Sequence, residues 1–228
     1  MATNAAHIAL LFFSRTAGAE QLAKSYGSQG DKVHEALITH AHQAALKSGL
    51  QTFWLDEAEQ VGNTFGERLA NAYEALFAKG FTKVIAIGND CPNLNATDIQ
   101  KAASLLQKQD WVLGPARDGG LYLLGLSETS YAREAFLALD WEEKSLLASL
   151  EDHITQAAHT SSRLLVKADI DCQADLIRRL SAWGSLHTLY YLLAFLLAPL
   201  AERLSVKPRQ SEPFLLANHS LRAPPVNA

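Results

Sequence analysis

The segment Val84-Ile85-Ala86-Ile87-Gly88-Asn89-Asp90-Cys91-Pro92 decides the fold class. It begins with a β-branched, apolar run, which is typical of a buried parallel strand, and then breaks into a glycine-containing loop that carries an aspartate. The segment Val112-Leu113-Gly114-Pro115-Ala116-Arg117-Asp118-Gly119-Gly120 has the same build. Residues 94–99 lead into a helical pattern between the two segments, so together they predict a strand–loop–helix–strand unit.

Strands and helices alternate along most of the rest of the chain. Apolar runs at residues 8–13, 52–55, 121–124 and 164–166 predict further strands, and helical spacings lie between them. The capping box Thr64-Phe65-Gly66-Glu67 opens one of these helices. This alternation predicts an α/β fold of three layers, in which helices flank a mixed, mainly parallel sheet. The strands at 8–13, 84–87 and 112–114 are expected at its centre.

Length and composition narrow the class of protein. The 228 residues suffice for one α/β domain with a full core. A formal net charge of −4 and a pI near 6.1 argue against a nucleic-acid partner, which would call for a basic face. Two cysteines and no Cys/His zinc pattern imply neither a disulfide scaffold nor a zinc site. The first residues do not have the pattern of a secretion signal, so a cytoplasmic protein is expected.

The C-terminal part of the sequence has a different character. Residues 189–200 are almost continuously apolar, but the run is shorter than a membrane span and is interrupted by Pro199. A helix that is apolar on most sides is buried. We therefore expect a main domain at residues 1–183 and a hydrophobic helix with a tail at 184–228. This helix packs on the main domain or on a second copy of the chain in a homodimer.

Aspartates follow two of the predicted central strands. Asp90 and Asp118 lie in loops at the carboxyl ends of their strands, where open α/β sheets form ligand crevices. Two carboxylates presented by neighbouring strands suit Mg²⁺ or Mn²⁺, and Mg²⁺ held in this way usually also binds substrate phosphates. Each aspartate has a simpler alternative role. Asp90 can cap the turn before Pro92, and Asp118 can belong to a plain hairpin turn.

The blocks 88–94 and 114–125 resemble a bacterial family of unknown function that is described as glycosyltransferase-like. The family pattern is Gly-x-Asp-x-Pro, followed by Gly-Pro-x-x-Asp-Gly-Gly-Tyr-Tyr-Leu-x-Gly. Leu121 stands here where the first Tyr is usual, and Cys91 stands where a Ser is usual. The family is related to the nucleotidyltransferases that make nucleotide sugars, CMP-sugar acids and the guanylylated precursors of the molybdenum and deazaflavin cofactors. The resemblance covers residues 8 to 180 and implies a GT-A, nucleotide-diphospho-sugar transferase-like fold for the nucleotide-binding domain.

The resemblance also implies roles for individual residues. Asp90 and Asp118 become the expected catalytic residues, and Asp90 becomes a metal ligand. Asp171 is the second expected metal ligand, because it stands where the related enzymes have the last aspartate of an Asp-x-Asp-Thr-Pro segment. Asp169 is the alternative ligand in that segment. The remaining loop residues expected to line the substrate site are Gly88, Asn89, Arg117, Gly119 and Gly120.

The loop after the first strand departs from the family. Relatives have a Lys-x-Pro-x-x-Gly-x-x-Lys-Thr-Arg-Leu segment there, whose cations offset phosphate charge. This chain keeps Arg15 and Gly18 at matching positions but has Glu20 in place of the cationic cluster. A glutamate repels a triphosphate. Three explanations therefore stay open: the charge comes from Arg15, Lys24 or Arg68, the ligand is a nucleotide-diphosphate sugar, or the site is no longer catalytic.

Two functions are compatible with these observations. The first is a metal-dependent transferase that acts on a nucleotide or nucleotide-sugar, by glycosyl or nucleotidyl transfer to an acceptor that the sequence does not name. Asp90 and Asp171 would hold Mg²⁺ or Mn²⁺, and Arg15, Gly18 and Arg68 would contact the substrate. The second is a non-catalytic binding or regulatory protein that keeps the fold with a degenerate phosphate loop. The fold alone does not separate the two.

Overall fold

The computed structural model describes residues 7–23, 26, 29–170, 172–182 and 188–201. Within these residues, one sheet contains the strands β1 (Ile8–Phe13), β2 (Gln51–Leu55), β3 (Lys83–Ile87), β4 (Trp111–Pro115), β5 (Leu121–Ser127) and β6 (Ser161–Arg163). The described helices are α1 (Ala17–Ala23), α2 (Gly30–Lys47), α3 (Phe65–Ala78), α4 (Ala96–Leu106), α5 (Arg133–Leu137), α6 (Leu146–Gln156), α7 (Gln173–Ala182) and α8 (Thr188–Ala201).

The strands lie in the order β2-β1-β3-β5-β4-β6. Strand β5 is antiparallel to both of its neighbours, and the other pairs are parallel. The predicted mixed, mainly parallel sheet is therefore confirmed, and the three strands expected at its centre are all interior. One expectation was wrong: the strands that precede Asp90 and Asp118 are not neighbours, because β5 lies between them. A tight turn lets β5 fold straight back on β4, which a parallel partner cannot do.

Successive residues of β1 face opposite sides of the sheet and pack against different helices. Ala9, Leu11 and Phe13 face a core formed with α3, α5 and α6. Ile8, Leu10 and Phe12 face a second core formed with α2 and α4. All six β1 residues are buried. The predicted three layers are confirmed, and the loops at the carboxyl edge extend from a sheet that is covered on both faces.

Two capping boxes fix the helices that follow β2 and β3. At the start of α3, the side chains of Thr64 and Glu67 each accept a hydrogen bond from the backbone N–H of the other residue, as the sequence predicts. Asn95 and Asp98 do the same at the start of α4. Each box satisfies backbone N–H groups that would otherwise have no partner in the first turn. The N-termini of these helices are therefore already occupied by side chains.

The last strand begins earlier than the sequence predicts. An apolar strand was expected at 164–166, but β6 is Ser161–Arg163, and Leu165 and Val166 are exposed. Hydrogen bonds set this register: the Thr160 backbone N–H and hydroxyl donate to the Asp110 carboxylate, and Trp111 N donates to Thr160 O. A short edge strand has little core to cover, so its apolar pattern does not determine its position.

Helix α8 has a buried face and an exposed apolar face. Leu189, Leu193 and Leu196 are buried, whereas Tyr191 and Phe195 are exposed. A groove of about 650 Å³ separates the helix from α2. The compact unit that contains the sheet extends to Leu197, and a second unit from Ala198 is described only as far as Ala201. None of the described helices is long and apolar enough to span a membrane. The division at residue 183 stays a prediction.

Candidate functional site

A cleft of about 280 Å³ opens at the carboxyl ends of β1 and β3. It brings together five of the residues expected at a substrate site, which are Arg15, Arg68, Gly88, Asn89 and Asp90. Its walls also include aromatic and aliphatic side chains from four segments of the chain: Phe13, Phe65, Leu69, Leu121, Tyr122, Leu123, Leu124, Trp141 and Leu146. A concave, largely apolar site with a few polar groups is the usual form of a small-molecule site.

The loop from β1 to α1 is held in place by residues that sequence analysis did not single out. Gln60 donates from its side-chain amide to Ser14 O (2.9 Å) and Leu55 O (3.1 Å), and Trp54 Nε1 donates to Ser14 Oγ (3.0 Å). Thr16 donates from both its backbone N–H and its hydroxyl to the Glu57 carboxylate. These contacts fix Arg15, which lies between Ser14 and Thr16, at the rim of the cleft. No local motif predicts the contacts with Ser14 and Thr16, because their partners lie about 40 residues or more away along the chain.

The carboxylate of Glu57 is well suited to this anchoring role. Partial burial opposes its ionisation, but the hydrogen bonds from Thr16 and the charge of Arg15 outweigh burial and lower the pKa of Glu57. The group is therefore ionised at neutral pH and continues to accept both bonds from Thr16.

The formal charges in the cleft do not favour a highly charged anion. Among the described residues that line it, Arg15 and Arg68 are cationic, and Glu20, Asp90 and Glu142 carry carboxylates. Glu20 is buried and is among the residues that line the cleft. The glutamate that stands where the resemblance implies a cationic cluster therefore lies at the cleft. Among the described residues that line the cleft, three formal negative charges stand against two positive ones.

Asn89 is the most informative polar residue in the cleft. Its side chain is 3% exposed, and its amide nitrogen is buried without a hydrogen-bond partner among the described residues. A buried donor without a partner costs about 1–3 kcal/mol, and functional sites are a frequent place for such groups. Gly88, beside it, has open space where a Cβ would lie. The end of β3 thus offers a polar group and room for a ligand.

Asp118 is not among the residues that line this cleft, and its sharing of one site with Asp90 stays a prediction. It lies in the turn between β4 and β5, is exposed, and accepts a bond at Oδ1 from Gly120 N (3.0 Å). This is the hairpin-turn alternative noted above. Arg117 is exposed in the same turn. Gly119 and Gly120 also lie outside the lining of the cleft.

Packing within the protein explains why position 119 holds a glycine. Gly119 has a φ of 98°, and a Cβ there would overlap the backbone carbonyl oxygen of Lys144. Its own carbonyl accepts a hydrogen bond from Leu147 N (3.0 Å). The turn is therefore pressed against the segment before α6. Gly18, another expected contact, lies within α1 and is not among the residues that line the cleft.

The second expected metal ligand, Asp171, lies outside the described residues. The segment that leads to it passes directly beside Asp90, because Ile170 N donates to Asp90 O (2.9 Å). The Tyr26 hydroxyl, which is buried, donates to Ile170 O (2.7 Å) and holds the segment from the other side. Within the described part of the chain, no three His, Cys, Asp or Glu side chains lie close enough to hold a metal ion.

The two cysteines have opposite environments. Cys91 is 3% exposed, and burial, assisted by the charge of Asp169, raises the pKa of its thiol to about 12. Cys172 is exposed, and its thiol donates to the Asp175 carboxylate. The thiolate is the nucleophilic form of cysteine. Burial and the raised pKa therefore disfavour a nucleophilic role for Cys91 in the folded protein.

We expect a thiol reagent at pH 8 to modify one cysteine of the native protein quickly and the other slowly. Cys172 should react within minutes, because it is accessible, whereas Cys91 should react only when its loop opens. Ellman's reagent measures both rates, and Cys172→Ser assigns the fast phase. Two equally fast phases in the native protein would contradict the burial of Cys91.

Solved structures with similar folds include a candidate nucleotide-diphospho-sugar transferase from Desulfovibrio desulfuricans. It has a TM-score of 0.74 and 20% sequence identity, and the match covers 86% of this chain and 97% of that one. A weaker match is 4-diphosphocytidyl-2C-methyl-D-erythritol synthase from Anaerococcus prevotii, with a TM-score of 0.46 and 12% identity over 83% of this chain and 95% of that one. Another is Rv0371c from Mycobacterium tuberculosis in complex with manganese, with a TM-score of 0.45 and 14% identity over 78% of this chain and 100% of that one. At these identities the similarity concerns the fold alone.

The sequence comparison identifies the family. No curated protein matches the chain. Residues 27–143 match the family described as "Uncharacterized protein conserved in bacteria (DUF2064)". That segment includes the Asp90 loop, both capping boxes and the turn between β4 and β5, and it amounts to more than half of the 228 residues. The chain therefore belongs to this bacterial family and has the fold of a nucleotide-diphospho-sugar transferase.

Proposed function

We propose that the protein is a metal-dependent transferase that acts on a nucleotide-sugar or a nucleotide. The observation that supports this most directly is the cleft at the ends of β1 and β3, where Arg15, Arg68, Asn89 and Asp90 meet. In open α/β sheets, ligands bind at this edge. The similarity of the fold to a candidate nucleotide-diphospho-sugar transferase agrees with the proposal.

The donor atoms at the end of β3 fit a hard divalent cation. A carboxylate such as that of Asp90 is the kind of ligand that Mg²⁺ and Mn²⁺ prefer, and the amide nitrogen of Asn89 can donate to an oxygen of the substrate. In the proposal, Asp90 and Asp171 hold the ion, with Asp169 as the alternative second ligand. When bound, the ion would neutralise charge on the phosphate oxygens of the substrate and on the leaving group. We assign Asp118 no contact with the reacting groups, because it lies in the turn outside the cleft.

The charged side chains that line the cleft determine which nucleotide ligand fits best. Arg15 and Arg68 can each bind phosphate oxygens, but Glu20 and Glu142 oppose additional negative charge in the same cleft. A nucleotide-diphosphate with a neutral sugar, such as glucose or mannose, carries less charge than a nucleoside triphosphate. We therefore expect nucleotide-sugars to bind more tightly than the matching nucleoside triphosphates, which favours glycosyl transfer over nucleotidyl transfer.

Calorimetric titration with Mn²⁺ tests this preference. Pairs such as UDP-glucose with UTP and GDP-mannose with GTP cover different bases, and the nucleotide-sugar of at least one pair should bind more tightly. Arg15→Ala should weaken that binding by about 1.5–3 kcal/mol, which is the range for hydrogen bonds to charged groups. Arg117→Ala is the matched control, because Arg117 is exposed outside the cleft, and it should leave the affinity unchanged.

The other outcomes of the titration have distinct meanings. Tight triphosphate binding with release of pyrophosphate would indicate a nucleotidyltransferase. Absence of binding by every pair would favour the second function, a non-catalytic binding or regulatory protein. The buried Glu20 at the cleft is the observation that favours this second function, because it replaces the cationic cluster of the family.

A further inference from the structure

Lys167 connects loops at the carboxyl edge of the sheet. Lys167 Nζ donates to Asn93 O (2.7 Å) and to Asp98 Oδ2 (2.7 Å), and the lysine side chain is 13% exposed. Its ammonium group also lies 5.8 Å from the centre of the Tyr122 ring. Lys167 is absent from the motifs of this sequence, because the partners it contacts are far away along the chain.

Backbone hydrogen bonds of residues 167–170 also connect loops at this edge of the sheet. Lys167 N donates to Pro115 O (3.0 Å), and residue 167 forms an isolated parallel bridge with Ala116, at the start of the turn that carries Asp118. Three residues later, Ile170 N donates to Asp90 O (2.9 Å). The segment 167–170 therefore contacts the loop that carries Asp90 and the β4–β5 turn together.

The ion pair with Asp98 contributes more than a surface pair would. Both side chains are largely buried, with 13% of Lys167 and 19% of Asp98 exposed. Removing one partner of such a pair leaves a charge with poor solvation and is strongly destabilising. Asp98 also accepts from Asn95 N in the capping box of α4. Loss of Lys167 would therefore loosen the loop between Asp90 and the start of α4.

We propose that Lys167 is a positioning residue, which fixes the loop at residues 88–95 against the segment that continues to Asp171. In this way it would set the separation of the carboxylates that hold the metal ion, without touching the substrate itself. The effect on ligand binding rests on the proposed function. The effect on the loop does not, and it can be measured with no ligand present.

The first test uses the buried thiol of Cys91, which lies in the loop that Lys167 holds. In a Cys172→Ser background, Lys167→Met should raise the rate at which Ellman's reagent modifies Cys91 by at least about ten-fold, through local opening. Asp98→Asn should act in the same direction, because it removes the charge and keeps an acceptor for the capping box. Lys101→Met is the matched control, an exposed lysine on α4, and it should leave the rate unchanged.

Repeating the labelling at low urea concentrations separates local opening from global unfolding. A locally opened loop gives a rate that hardly depends on urea, whereas labelling through global unfolding rises steeply with urea. An unchanged Cys91 rate in Lys167→Met, or a rate that follows global unfolding alone, would overturn the proposal.

The second test measures Mn²⁺-dependent binding of UDP-glucose or of whichever nucleotide-sugar the wild type prefers. Groups that orient metal ligands typically affect metal affinity 10–100-fold, so Lys167→Met should weaken binding by at least about ten-fold at a temperature where it remains folded. Lys167→Arg should restore most of the affinity. Unchanged affinity in Lys167→Met would refute the positioning role. If the wild type binds neither metal nor nucleotide, the proposed function fails, and the Cys91 rates still decide whether Lys167 fixes the loop.

Discussion

Replacing Asp90 by asparagine is expected to abolish metal-dependent ligand binding while the protein stays folded. Asparagine has nearly the same shape and keeps an oxygen that can accept hydrogen bonds, and the contact of this residue with Ile170 is made by its backbone oxygen, so the loop should keep its position. The substitution removes the anionic oxygen that a hard cation requires. Affinity for a nucleotide-sugar in the presence of Mn²⁺ should fall by about 100-fold or more, since even groups that only orient metal ligands have effects of 10–100-fold. Titration calorimetry with and without Mn²⁺ measures the change.

Asp118→Asn is the matched control for this experiment. Asparagine can accept the same bond from Gly120 N, and the side chain lies in an exposed turn outside the cleft. Its affinity for metal and nucleotide-sugar should equal that of the wild type. If Asp90→Asn binds as well as the wild type, or if Asp118→Asn loses binding instead, the assignment of the metal to Asp90 is wrong.

Gly119→Ala is expected to destabilise the protein by about 3 kcal/mol, a large effect for the addition of one methyl group. Two causes act together. The φ of 98° is unfavourable for any side chain, and the new Cβ would overlap the Lys144 carbonyl oxygen, which belongs to the backbone and cannot rotate away. The segment before α6 would have to move away from the turn, which would also break the bond from Leu147 N, in the first turn of α6, to Gly119 O. Urea denaturation followed by circular dichroism measures the change in the free energy of unfolding.

Gly18→Ala provides the comparison, because it adds the same methyl group at a site with neither an unfavourable φ nor a steric overlap. Gly18 lies in α1, its φ is outside the left-handed region, and no atom lies within 4 Å of the position of a Cβ. This substitution should stabilise the protein by up to about 1 kcal/mol, since alanine favours helix and restricts the unfolded chain. Equal stability of Gly119→Ala and the wild type would show that the turn can shift without cost.

The sequence predicts those parts of the structure that depend on local patterns. The buried strand before Gly88 and the capping box at Thr64 and Glu67 are set by residues within a few positions of each other, and both occur as expected. The fold class follows from the alternation of such elements. The prediction that Asp90, Asn89 and Arg15 lie in one place required only that β1 and β3 end at the same edge of the sheet.

Features that depend on long-range pairing could not be predicted. The insertion of β5 between β3 and β4 leaves no mark on the hydrophobic pattern, because an interior strand is apolar whichever strands are its neighbours. Because β5 lies between β3 and β4, the loops that carry Asp90 and Asp118 do not follow adjacent strands. Likewise, Lys167 and Gln60 become significant only when the fold brings Asp98 and Ser14 beside them.

The antiparallel position of β5 has a consequence for the way the chain folds. Strands β4 and β5 are joined by a turn of a few residues, so their pairing has a small entropic cost, whereas the pairing of β1 with β2 or β3 closes a loop that contains whole helices. The hairpin should therefore form early and then provide β3 with an edge on which to dock. Its turn, with Asp118 and Gly119, would then serve the kinetics of assembly, and a slower refolding rate in Gly119→Ala would record that contribution.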